Sequence, residues 1–121
     1  MDSNLKQEWI TALKSGEYNQ GRGYLCDMNT DGSKEFCCLG VLGDLLHKKD
    51  PARFHWENES DSIQTFVDGN LDEMEYLPLS TRQFVGLNIG EVCMLANMND
   101  GTNGQTEHSF REIADYIQES I

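Results

Sequence analysis

The sequence predicts a small α+β domain, with N- and C-terminal helices packed around a β-hairpin that feeds directly into an apolar helix. Three observations carry that reading. Both ends of the chain show apolar residues at helical spacing beside capping residues. Between them a turn sequence, Asn29-Thr30-Asp31-Gly32, separates two short runs. And 121 residues with 38% apolar content suffice for one modest core, so residues 1–121 are read as a single domain.

Residues 4–15 are expected to form an amphipathic helix, because Leu5, Trp9, Ala12 and Leu13 recur at i, i+4, i+7 and i+8. Ser3 or Asn4 would cap it and Gly16 would stop it. The glycine-punctuated stretch Gly16–Gly23 reads as a loop. Tyr24–Met28 and Lys34–Cys38 then make the hairpin. If Asp31-Gly32 forms a two-residue turn, Cys26 falls opposite Cys37, and a cross-strand disulfide or shared metal becomes conceivable. The apolar helix runs Leu39–Lys49. Gly40 and Gly43 there make sense if another element packs closely, and Lys48 and Lys49 suit the negative end of its dipole.

Residues 52–75 are the least regular. Ile63, Thr65 and Val67 alternate, so a strand is expected over Ser62–Asp68. Ser80–Val85 reads as a short helix closed by Gly86, and Glu91–Met98 as either a helix or a buried strand. The last helix is written most plainly. Ser109 and Glu112 form a capping box, and Phe110, Ile113, Ala114 and Ile117 form its apolar stripe.

Composition excludes several classes of function. Nine Lys and Arg against 21 Asp and Glu give a net charge of −12, and a surface this negative repels a phosphate backbone. Direct nucleic-acid binding is therefore not expected. No apolar run reaches the roughly 18 residues a membrane span needs. Met1-Asp2-Ser3-Asn4 lacks the basic and apolar regions of a secretory signal, so a reducing compartment is expected. Gly21-Arg22-Gly23 and Gly101–Gly104 fit no phosphate-loop pattern, and no cofactor is expected. Nothing in the sequence specifies an oligomeric state.

The acidity is lopsided. Residues 61–121 carry eleven acids and only two bases, Arg82 and Arg111. From position 57 to 75 there are seven acids and one sign of charge: Glu57, Glu59, Asp61, Asp68, Asp72, Glu73 and Glu75. This run is either a solvated loop that aids solubility or a patch that meets a basic partner surface. An aromatic and basic group, Arg53-Phe54-His55-Trp56, is either a contact site or core.

Two further motifs carry possible chemistry. Asp27-Met28-Asn29-Thr30-Asp31-Gly32 begins like a calcium loop, with Asp27, Asn29 and Asp31 as oxygen ligands and Gly at position 6. It then departs from that pattern, with Lys34 at position 8 and Cys38 where a bidentate carboxylate belongs, and it is equally good turn chemistry. Cys37 and Cys38 stand where a helix begins, and a helix N-terminus favours the thiolate that a cysteine nucleophile needs. Such an enzyme also needs an imidazole base. His47, His55 and His108 are the candidates, and none sits in a partner motif. Buried structural thiols are the competing reading.

The blocks Trp9–Gln20, Phe36–Leu45 (FCCLGVLGDL), Leu77-Pro78, Gly86-Leu87, Leu95–Asp100 (LANMND) and Phe110–Ile117 resemble a family of small proteins encoded by tailed bacteriophages and prophages. The resemblance runs nearly end to end. It implies a viral origin and residence in the cytoplasm of an infected bacterium, and it carries no assigned reaction. The chain departs from it at Gly43, where relatives often have a cysteine, so chemistry relying on a third clustered thiol is not carried over.

The expected function is therefore a non-catalytic, phage-encoded acidic accessory protein that binds a host macromolecule, with a host protein as the expected partner. One specific form is an acidic mimic occupying a host surface that normally meets nucleic acid. The alternatives are a cysteine enzyme built on Cys37 or Cys38, and a small-ligand or Ca²⁺ binder.

Overall fold

A computed structural model describes all residues, 1–121. Helix α1 (Ser3–Lys14) buries Leu5, Trp9, Ile10 and Leu13. Its cap is Asp2, earlier than the expected Ser3 or Asn4: Asp2 Oδ2 accepts from the Leu5 amide at 2.8 Å. The carboxylate also suits the positive end of the helix dipole.

Strand β1 (Asn19–Gln20) lies within the stretch read as loop. It runs parallel to β3 (Lys34–Phe36), whose other neighbour is antiparallel β2 (Cys26–Met28). The hairpin forms where expected, with a different register. Its loop has three residues, Thr30-Asp31-Gly32, closed by the Asn29 amide donating to Ser33 O at 2.7 Å. Gly32 adopts φ +87°, a left-handed conformation that glycine reaches without strain. Cys26 consequently pairs with Phe36 instead of Cys37. The cross-strand disulfide falls with that register, and all four cysteines are free.

Helix α2 (Cys38–Lys49) is the hub on which α1 and α4 pack, and its first six residues are all buried. Such depth requires small residues. A Cβ on Gly40 would lie 1.8 Å from Leu25 O, and one on Gly43 would meet the Phe66 ring at 3.1 Å. The expectation that another element packs closely at these glycines is met by the segment leading into β2 and by the second sheet.

That second sheet occupies the region read as least regular, and its middle strand lies within the expected Ser62–Asp68. It consists of β4 (Phe54–Asn58), β5 (Gln64–Asp68) and β6 (Leu71–Glu73), antiparallel and in sequence order. Phe54, Trp56 and Phe66 point to the core. Trp56 and Phe66 meet edge to face with centroids 5.1 Å apart, and Phe36 of the first sheet reaches Trp56 at 6.1 Å. Each such pair adds about 0.5–1.5 kcal/mol beyond its buried area. The group Arg53–Trp56 is thus structural: the Arg53 guanidinium lies over the Phe54 and Phe84 rings at 4.7 and 4.5 Å.

Three helices complete the domain. Helix α3 (Leu79–Val85) ends at left-handed Gly86. Helix α4 (Ile89–Asp100) resolves the ambiguous segment, and an Asn88–Glu91 capping box starts it. Helix α5 (Phe110–Ser120) has the expected Ser109–Glu112 capping box and buries the expected stripe. It packs on α1, where Lys14 Nζ meets Asp115 Oδ1 at 2.9 Å. One core cluster spans both sheets' inner faces and all five helices. No helix is long and apolar enough to cross a membrane.

Candidate functional site

The two adjacent thiols are built into the scaffold. Cys37 caps α2, its Sγ accepting from the Gly40 amide at 3.4 Å, and Cys38 Sγ donates to Leu95 O at 3.5 Å. Burial pushes the Cys37 thiol up to about 12, because the amides of Gly40 and Leu39 offset little of the lost solvation. Cys38, fully enclosed, is raised well above the ordinary thiol range for the same reason. The helix N-terminus that would favour a thiolate is therefore overridden by burial. The imidazoles bond elsewhere: His47 Nδ1 to Phe54 O at 2.9 Å, His55 Nε2 to Glu57 at 3.2 Å and His108 Nδ1 to Thr106 O at 2.7 Å.

The calcium-like loop is likewise occupied with its own turn. Asp31 Oδ1 accepts from the Ser33 amide at 2.9 Å and the Ser33 hydroxyl at 2.6 Å, and Asn29 Nδ2 donates to that same hydroxyl. Asp27 stands apart on β2, paired across the ladder with Glu35. Burial first and Glu35 second raise its carboxyl, and it makes no part of the turn that Asn29 and Asp31 build. No group of three or more His, Cys, Asp or Glu is arranged to hold a metal ion.

The acidic run divides into two fates. Glu57, Glu59 and Asp61 are exposed at the end of β4 and on the turn after it, and Asp72, Glu73 and Glu75 are exposed on and after β6. Asp68 does not belong with them. It is only 4% exposed, and Arg53 Nε donates to its Oδ1 at 2.9 Å. Its Oδ2 accepts from Ser80 Oγ at 2.7 Å and Thr81 Oγ1 at 2.8 Å. Burial alone would raise this carboxyl, but the three donors outweigh it and hold it below the usual range. Asp68 thus ties α3 to the sheet and is unavailable to a partner. Glu73 behaves in reverse. Burial, with Asp72 and Glu75 beside it, pushes its carboxyl up against the pull of Arg82.

Of these acids, Glu75 borders a cleft of about 470 Å³. One wall is Gly23-Tyr24, ahead of β2; another is Glu75-Tyr76, after β6; the floor is the last turn of α4 with the loop that follows. No Lys, Arg or His lines it. The floor is fixed from beneath by Asn99, which is fully buried and makes four hydrogen bonds. Its Oδ1 accepts from Cys38 N at 3.2 Å and Gln20 Nε2 at 2.9 Å, and its Nδ2 donates to Gly21 O and Asp100 Oδ1. Asp100 Oδ1 also accepts from the Gly23 amide at 3.1 Å, joining a wall to the floor. Asn97 Oδ1 accepts from Thr102 Oγ1 and Asn103 Nδ2, each at 2.9 Å, and holds the loop.

One family matches residues 1–121 in full. The chain belongs to the family described as Domain of unknown function (DUF8296). No curated protein and no solved structure matches the chain. Within this DUF8296 domain, the sequence reading identified Glu75 and quoted the Leu95–Asp100 block, but it missed Tyr24, Tyr76 and Asn103 as site residues. Only the turn-rich run Gly101–Gly104 directly after an Asn-Asp helix end hinted at a structured loop there.

Proposed function

We propose that this DUF8296 protein is a phage-encoded, non-catalytic accessory protein that acts in the cytoplasm of the infected bacterium by binding a basic surface on a host protein. The observation that carries the reading is the crowding of Asp72, Glu73 and Glu75, exposed acids placed side by side without an internal salt bridge. Like charges so placed weaken the fold through repulsion, and a basic partner surface relieves them. Glu57, Glu59 and Asp61 extend the same charge along the second sheet. The burial of Cys37 and Cys38 speaks against a thiolate nucleophile. The resemblance of the Phe36–Leu45 and Leu95–Asp100 blocks to phage proteins supports the viral origin. A host surface that otherwise meets a phosphate backbone has the matching charge.

Affinity capture from bacterial lysate tests this, comparing the wild type with Asp72→Asn/Glu73→Gln at low and at moderate salt. The reading expects one stoichiometric partner, released as screening shortens to about 8 Å near physiological ionic strength and reduced in the variant. A folded protein that captures nothing, or a partner indifferent to both salt and the variant, contradicts it.

A further inference from the structure

We propose that the cleft between Tyr24, Tyr76 and the end of α4 is a binding site for an organic cation, a guanidinium or ammonium group carried on an aliphatic stem. This deepens the preceding reading, and rests on it for the basic character of the partner. The volume, about 470 Å³, lies within the range of small-molecule and side-chain pockets. Two tyrosines, Tyr24 and Tyr76, line it, aromatic rings being groups on which a delocalised cation stacks, and Glu75 and Asp100 supply negative charge.

The walls carry no compensating base. The nearest arginine in sequence, Arg22, is turned to Glu107 at 3.2 Å. Asp100 uses Oδ1 for both of its hydrogen bonds within the chain, which leaves Oδ2 for a ligand. Alternative occupants fit less well. An anion would meet two carboxylates, and an apolar ligand would meet a mostly polar lining. A hard divalent metal needs six or more oxygen ligands, and no such cluster exists here.

The site is also held in shape before anything binds. Asn97 fastens the loop through Thr102 and Asn103, and Asn103 is the sole non-glycine residue with positive φ, at +51°. Backbone held in this conformation costs roughly 1 kcal/mol or more and persists where its surroundings determine it. The Tyr76 hydroxyl registers the local field: burial raises it, and Cys93, Glu75, Asp100 and Glu73 raise it further. A basic side chain on a partner protein and a free polyamine share the required chemistry.

The test is a titration of ¹⁵N-labelled protein followed by amide shifts. N-acetyl-arginine amide stands for a protein side chain, spermidine for a free polyamine, and butylurea is the neutral control. The expected result is saturable shifts confined to the amides of Gly23, Tyr24, Tyr76, Asn97 and residues 101–104, with none from butylurea. Whichever cation binds more tightly identifies the source. Glu75 is exposed and makes no hydrogen bond, so Glu75→Gln should fold normally and weaken binding about fivefold, the size of one part-exposed charge pair. No saturable shift with either cation overturns the proposal. So do shifts that fall equally on Glu57, Asp61 and Asp72, or binding unchanged in Glu75→Gln. A silent cleft alongside salt-sensitive partner capture would overturn the cation site alone, whereas a responsive cleft without a captured partner would overturn the host-protein reading alone.

Discussion

Asn99 and Asp100 are neighbours at the end of one helix, yet they face opposite problems. Asn99 points inward, and both ends of its amide are used to join α2, α4, β1 and the residue that follows β1. Asp100 lies on the floor of the cleft, where Oδ1 secures the Gly23 amide and Oδ2 makes no hydrogen bond within the chain. The same division recurs in the acidic run. Asp68 is consumed by Arg53, Ser80 and Thr81, while Glu75 is exposed beside the cleft. Asn99 and Asp68, which hold the fold, are buried and paired; the acids available for recognition, Asp72, Glu73 and Glu75, are exposed and crowded. That contrast separates the two roles more cleanly than residue type does.

The largest effect that should sharpen the contrast is at Asn99. Replacement by Leu leaves Cys38 N and Gly21 O without their partner, while Gln20 Nε2 keeps only His108 O. Unmet buried groups cost about 1–3 kcal/mol each, so Asn99→Leu should lose about 3–5 kcal/mol in urea unfolding. Asp100→Asn keeps the Oδ1 acceptor and should lose less than about 1 kcal/mol. If both changes cost the same, the inward and outward roles are not distinct.

Asp68 comes next. Asp68→Asn should destabilise by about 2 kcal/mol at neutral pH, through loss of charge-assisted hydrogen bonds. The pH dependence has a definite sign. Because the folded carboxyl is held below its unfolded value of about 3.9, its contribution is present above that value and disappears as pH falls through the folded one. The gap between wild type and variant should therefore close in acid below about pH 4, and a gap that widens there would contradict the ion-pair account.

How much of this division could be read from sequence depended on the periodicity available. The terminal helices were legible because Leu5-Trp9-Leu13 and Phe110-Ile113-Ala114-Ile117 repeat at helical spacing beside real caps. The close approach at Gly40 and Gly43 was legible because two glycines three apart in an apolar helix cost propensity without packing benefit. The second sheet was legible only at its middle strand, where Ile63, Thr65 and Val67 alternate and β5 falls within the expected Ser62–Asp68. That alternation is weak because all five residues of β5 are buried, and exposed β6 reads as solvent-facing loop. The hairpin register turned on a single residue of loop length. For the site, charge located the acidic run but could not separate Asp68 from Glu75. Only Arg53, Ser80 and Thr81 brought around it do so. The cleft itself joins positions 23 and 103, which no local pattern connects.

Smaller effects test the remaining parts. A thiol reagent at neutral pH should label at most Cys93 in the native protein, since Cys26, Cys37 and Cys38 are buried. All four should react once the chain is unfolded. Rapid labelling of Cys37 or Cys38 in the native state would return the thiolate reading. Smallest of all is the expected effect of Glu75→Gln on stability, within about 0.5 kcal/mol, as for an exposed residue without partners.

The central claim is that the exposed acids serve recognition while the buried polar groups hold the fold. It is tested most directly by thermal melts of wild type and Glu75→Gln, each with and without saturating N-acetyl-arginine amide. Both proteins should melt at the same temperature alone, and the ligand should raise the wild type more than the variant, since binding to the folded state stabilises in proportion to affinity. A variant that melts lower on its own, or the same ligand-induced rise in both, would contradict the claim.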